Sequence, residues 1–165
     1  MVQIKVAATS NVGTSKGSGI GGCTCSKLRR LTRRVTAVYD RALSAAGMRV
    51  TQYSLLSNLR GLRGVPVSQL AEMLDMDRTT LTRNLRPLLD AGWVAVEPSA
   101  EDARVRLVHI TAAGDAQWRL ARTYWRHAQD EVNATIGAGN VTTLHNLLDR
   151  YVPLFRPADD EGDSQ

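Results

Sequence analysis

A chain of 165 residues with 43% hydrophobic residues has room for one domain with a real core, and it contains no run of 18 apolar residues to span a membrane. The net charge of +5 understates its basic character, because the last nine residues, Pro157 to Gln165, hold four acids and no base and the rest therefore carries +9. That balance suits a polyanionic partner and argues against an acidic-tail function, and 18 of the 21 bases are Arg, the better residue for bidentate phosphate and guanine contacts.

Residues 1–22 are rich in Gly, Ser and Thr and read as a flexible arm. They lack the apolar core of a secretory signal, so the expected location is the cytoplasm. Gly17, Gly19 and Gly22 spell G-x-G-x-x-G, but the next segment is helical and leads to no second βαβ unit, so no dinucleotide or other cofactor is expected.

Periodicity predicts a helix from Cys25 to Ala46, with Leu28, Leu31, Val35 and Val38 on one stripe. Its first turns carry Lys27, Arg29, Arg30, Arg33 and Arg34, and the first acid of the protein is Asp40. These cations are readable as a solvated face, as groups that tune nearby thiols, or as phosphate contacts. Gly47 ends this helix, and a second occupies Thr51–Leu62 with Leu55, Leu56 and Leu59 inward.

The stretch Val67–Arg106 reads as two short helices, a turn and two strands. Leu70, Ala71 and Leu74 form the stripe of the first helix. Asp77 is placed to cap the second by accepting the N–H of Thr80. Leu81, Leu85 and Leu88 define the face to be buried, and Thr79, Thr82, Arg83 and Arg86 fall opposite. Short hydroxyls and guanidinium forks, with no acid among them, are what a helix needs to lie in a major groove. Ala91-Gly92 stops that helix, Trp93–Val96 begins a strand, and Pro98–Ala103 is a polar turn. In the return strand Val105, Leu107 and His109 alternate with Arg104, Arg106 and Val108.

Thr111 then caps a long helix to about Ile136, with Trp118, Ala121, Trp125, Ala128 and Val132 in a seam. A last helix, Val141–Phe155, carries Leu144, Leu147, Leu148, Tyr151, Leu154 and Phe155 at the same spacing. Two such seams away from the reading head are expected to pack against a second copy, as would Leu28 and Leu31. The expected fold is mostly α, a winged helix-turn-helix flanked by N- and C-terminal dimerisation helices. The domain spans 23–156, with the reading head at about 51–110, dimerisation helices at about 25–46 and 111–155, and an acidic tail at 157–165.

Three pieces resemble the MarR family of bacterial transcription regulators: Gln52 in TQYSLL, the recognition-helix segment LTRNLRPLLDAGW, and EDARVRLVHITAAG across the wing. The last holds an Asp-x-Arg motif, Asp102-Ala103-Arg104, and beyond it Thr111 and Gly114. The resemblance covers Cys23 to Phe155. It implies a homodimer on a pseudo-palindromic double-stranded operator, with Arg104 in the minor groove and Asp102 shaping the wing. Pro87, inside the recognition helix, departs from the pattern; it lacks an N–H and is expected to bend the axis.

Cys23-Thr24-Cys25 is the other distinctive stretch. A thiol at a helix N-terminus beside Lys27, Arg29 and Arg30 is expected to favour thiolate. The organic-hydroperoxide-sensing branch of the MarR family has a reactive cysteine at this helix start. Aligned without gaps to Gln52, that cysteine falls on Cys25 and a supporting tyrosine on Tyr39, whereas Arg29 and Val50 replace two further tyrosines. The resemblance thus implies a redox-sensitive Cys25. A disulfide closed over Cys23 and Cys25 would be strained, so a partner chain or small thiol is the expected partner. Three histidines without ligand spacing, and Cys-x-Cys, make no zinc site. The expected function is a repressor released by thiol oxidation, or alternatively by a small aromatic or lipophilic ligand. An oxidoreductase using Cys23 and Cys25 is the contrasting class, and it lacks both C-x-x-C and a motif-placed general base.

Overall fold

The computed structural model describes residues 22–155. The arm up to Gly21, including Gly17 and Gly19, and the acidic tail lie outside the described residues. The chain divides between Arg34 and Val35, inside the first helix. On the N-terminal side, the described part is the start of α1 (Thr24–Leu43), whose side chains from Cys23 to Arg34 are exposed.

The unit from Val35 onward begins with the rest of α1 and a short 3-10 turn, Ser44–Ala46, closed by Gly47 at φ +63°. The predicted first helix thus ends where expected. α2 (Val50–Leu59) is three residues shorter at its C-terminal end than predicted. Arg60 leaves the helix in an extended conformation, and Gly61 takes φ +85°. β1 (Val65–Pro66) leads into α3 (Val67–Met73), and α4 (Arg78–Asp90) comes after a four-residue turn. β2 (Val94–Pro98) and β3 (Arg106–Ile110) form the wing, and α5 (Ala112–Ile136) and α6 (Ala138–Tyr151) complete the unit. Pro153 lies in the 3-10 turn Val152–Phe155 that replaces the predicted end of the last helix. None of the described helices is long and apolar enough to cross a membrane.

The sheet has three antiparallel strands in the order β1-β3-β2. β1 was not foreseen from the sequence, since two residues show no alternation. It changes the reading of the wing. Val108, which alternation grouped with Arg104 and Arg106, is fully buried because Val65 flanks it on one side and Val96 on the other. The wing is thereby rooted in the core.

That core gathers Tyr53, Leu55, Leu56 and Leu59 of α2, Leu70 and Ala71 of α3, and Leu81, Leu85 and Leu88 of α4. Trp118 and Ala121 of α5 close it. The α5 seam therefore corrects an expectation. Trp118, assigned to an interface between copies, is buried within the chain, while Trp125, assigned there too, is half-buried against the same core. Tyr53 stacks between them at 5.8 Å and 5.6 Å, and the Trp118 indole N–H donates to Ser57 Oγ at 2.7 Å. A 3.6-residue stripe shows that a face is buried, not whose helix buries it.

Candidate nucleic-acid interface

The second helix of the reading unit, α4, is fixed at both ends. Asp77 accepts the Thr80 N–H at 2.8 Å and the Thr80 hydroxyl at 2.6 Å, and these bonds hold its carboxyl below the usual carboxylate range. At the other end Gly92 N–H bonds Leu89 O and Trp93 N–H bonds Leu88 O, the paired closure made possible by Gly92 at φ +68°. Between the ends, Leu81, Leu85 and Leu88 are buried, so their face cannot turn outward. The helix runs on through Pro87 to Asp90.

Thr79, Thr82, Arg83 and Arg86 are exposed together on the outer face, as expected. Thr82 donates its hydroxyl to the Arg78 carbonyl at 2.8 Å. Arg83 makes no ion pair among the described residues. Arg86 does: its Nε reaches both Asp90 oxygens, at 2.9 Å and 3.1 Å. The face read as free of acids thus has one at its last turn. An exposed i,i+4 pair is worth only about 0.3–0.5 kcal/mol, so Arg86 can exchange Asp90 for a phosphate or base edge at little cost.

The wing tip is built by its own polar groups. Asp102 Oδ1 accepts the Arg104 N–H at 2.9 Å, and Asp102 O accepts the Val105 N–H at 2.9 Å. Ser99 N–H then donates to Val105 O at 2.8 Å, closing the loop between β2 and β3. This leaves the Arg104 side chain exposed at the tip. Behind the wing, Thr111 N–H donates to Trp93 O at 3.0 Å and its hydroxyl donates to Gly92 O at 2.7 Å. The same hydroxyl oxygen accepts the Gly114 N–H at 3.0 Å, which caps α5. Thr111 and Gly114 therefore tie the end of the recognition helix to the start of α5.

Between α4 and the wing lies a groove of about 470 Å³. Leu85, Leu89 and Val96 contribute its apolar lining, and Arg78, Arg104 and Arg106 line it as well. Arg78 and Arg106 were missed in the sequence reading. The signals were there: Arg78 is the first residue after the cap, and Arg106 shares strand alternation with Arg104. Arg106 also donates to Val96 O at 3.3 Å, which orients it along the wing. A helix face with hydroxyls and an unpaired guanidinium, beside a wing tipped by arginine, can contact base edges and phosphates of a duplex.

The remaining predicted residues belong to other elements, the first helix and its start, α5 and α6. Cys23 and Cys25 are exposed free thiols, and Cys23 O accepts the Lys27 N–H at 3.1 Å. The Tyr39 hydroxyl donates to Gln129 Oε1 at 2.7 Å, and burial raises its pKa, so a structural partner on α5 already holds it. Leu28 and Leu31 are exposed. On α6, Leu144 is half-buried, and Leu147, Leu148 and Tyr151 are exposed at 48%, 39% and 44%. Among the described residues no cluster of His, Cys, Asp or Glu is arranged to hold a metal ion.

Comparison with known proteins places this geometry. A model described as MarR family matches residues 48–105. The multiple antibiotic resistance protein MarR of Salmonella typhimurium is 32% identical over 133 residues, covering 76% of this chain and 91% of that one. The transcriptional activatory protein BadR of Rhodopseudomonas palustris is 35% identical over 113 residues, covering 66% and 65%. Among solved structures, the M. tuberculosis transcriptional regulator MOSR in complex with DNA matches at TM-score 0.68 and 35% identity, over 81% of this chain and 99% of that one. A mutant E. coli MarR complexed with operator DNA matches at TM-score 0.72 and 25% identity, over 78% and 93%.

Proposed function

This chain belongs to the MarR family of DNA-binding transcriptional regulators, and from that premise we propose that it is a cytoplasmic homodimeric repressor that leaves a pseudo-palindromic operator when Cys25 is oxidised. The observation that carries the reading is the outer face of α4. Thr79, Thr82 and Arg83 stand exposed above the buried leucines, with Arg104 at the wing tip alongside. In this reading Arg83 and Arg86 read base edges, Arg104 enters the minor groove, and Asp102 keeps the wing in shape. Arg83→Ala should weaken operator binding by about 1–3 kcal/mol and leave random-duplex binding nearly intact. Titrations on both duplexes check this, and an unchanged ratio of the two affinities would remove Arg83 from base readout.

The dimer is supported by α6, which buries none of its residues within the chain and shows Leu147, Leu148 and Tyr151 to solvent. Covering that surface with a second copy would set two recognition helices one DNA turn apart, about 34 Å. Exposure of the Cys25 thiol supports the switch, because an oxidant must reach the sulfur. Only about 1.4 kcal/mol of difference between the reduced and oxidised states is needed for tenfold weaker binding. Diamide should release the wild type and a thiol reductant should restore it, while Cys25→Ser stays bound. Release of Cys25→Ser at the same oxidant dose would overturn the redox reading.

A small-ligand switch has the α4–wing groove in its favour, since an apolar lining with three arginines would take a lipophilic anion in competition with DNA. A reporter behind the operator sets the sign of regulation. Rising transcription on oxidation marks a repressor, and falling transcription an activator, which is the role named for BadR.

A further inference from the structure

The start of α1 combines features that its own folding does not explain. Lys27, Arg29, Arg30, Arg33 and Arg34 are all exposed, and none forms an ion pair among the described residues. The helix has no acid in its first turn, and none precedes Asp40 anywhere in the protein. Cations at a helix N-terminus oppose the macrodipole. Arg29 and Arg33, and Arg30 and Arg34, are like charges at i,i+4, which destabilise an isolated helix. The arrangement thus weakens the segment it sits on unless a polyanion covers it.

At 100° per residue these five side chains occupy one arc, with Leu28 and Val35 across the helix from it and Leu31 at its border beside Lys27 and Arg34. The apolar stripe and the basic arc can therefore be covered by different partners. From Lys27 to Arg34 the arc spans about 10 Å of helix axis, enough to track a few consecutive phosphates of one strand. Four of the five cations are Arg, the better residue for bidentate phosphate contact. An anionic membrane is the poorer match, since Leu28 and Leu31 are the only large apolar side chains from Cys23 to Arg34 and none there is aromatic.

We propose that the basic arc of α1, from Lys27 to Arg34, is a second duplex-DNA contact that grips phosphates irrespective of sequence and adds to the reading head. It rests on the DNA-binding role of α4 and the wing, and the test separates the two. In the full-length protein, Arg29→Gln, Arg30→Gln and Arg33→Gln are combined, and binding to operator and random duplex is measured across salt. Each lost phosphate contact should make the plot of log affinity against log salt shallower by about 0.9. A homodimer loses three such contacts from each protomer, so the triple variant should lose about 5 units of slope and the same factor of affinity on both duplexes, and its operator preference stays that of wild type. The corresponding triple Lys variant should keep the wild-type slope. A wild-type slope in the Gln variant would overturn the proposal. So would an unchanged DNA slope accompanied by lost binding to phosphatidylserine vesicles, which would assign the arc to a membrane. Failure of the reading head shows differently, as loss of operator preference in Arg83→Ala, and a wild type with no salt-dependent DNA binding would overturn both readings.

Discussion

Gly114→Ala should collapse the junction that holds the recognition helix against α5. A Cβ on Gly114 would overlap the Trp93 carbonyl oxygen and stand 3.0 Å from Ile110 Cγ1. A backbone carbonyl cannot swing aside as a side-chain tip can. This one is further fixed by the Thr111 N–H, which it accepts at 3.0 Å. Overpacking a tight site typically costs about 1–3 kcal/mol, and a clash with backbone belongs at the upper end or beyond. For a chain of this size about 3 kcal/mol corresponds to a fall in Tm of about 6–12 °C. Because Trp93 also closes α4, operator binding should fall with stability. Gly139→Ala is the matched control: a Cβ there meets nothing within 4 Å, so its Tm should hold or rise slightly. Calorimetry on both variants decides it, and an unchanged Tm for Gly114→Ala would mean that the junction yields.

Leu147→Asp should turn the dimer into a monomer and release the operator together. Leu147 is 48% exposed within the chain, so a carboxylate there leaves the fold of one copy intact. In the proposed interface the same carboxylate would be buried without a partner, at a cost of several kcal/mol. Losing the second reading head removes the effective-concentration gain of two linked sites, commonly about 10²–10⁴-fold in affinity. Sedimentation should report monomer, circular dichroism an unchanged helix content, and titration binding weaker by about a hundredfold or more. A variant that remains dimeric and binds normally would place the interface elsewhere.

Much of the reading head was legible because its signals are local. A capping aspartate, three leucines at helical spacing and a glycine stop bound α4, and the structure has each of them in place: Asp77 on Thr80, Leu81, Leu85 and Leu88 buried, and Gly92 at positive φ. Those bonds close within a few residues, so the order of amino acids suffices to specify them. Once Leu81, Leu85 and Leu88 must be buried, Thr79, Thr82 and Arg83 have to face outward.

What the order of residues could not decide was where each buried face finds its partner. Val65–Pro66 is too short to show a period, yet its pairing with β3 turns Val108 into the core. The α5 stripe announced burial, and only packing against α2 assigned Trp118 to the chain's own interior, with Trp125 half-buried on the other face of Tyr53. The α4–wing groove depends in the same way on how separate elements pack. Helical and strand periods count positions along one element, while a contact between elements depends on the distances that folding sets.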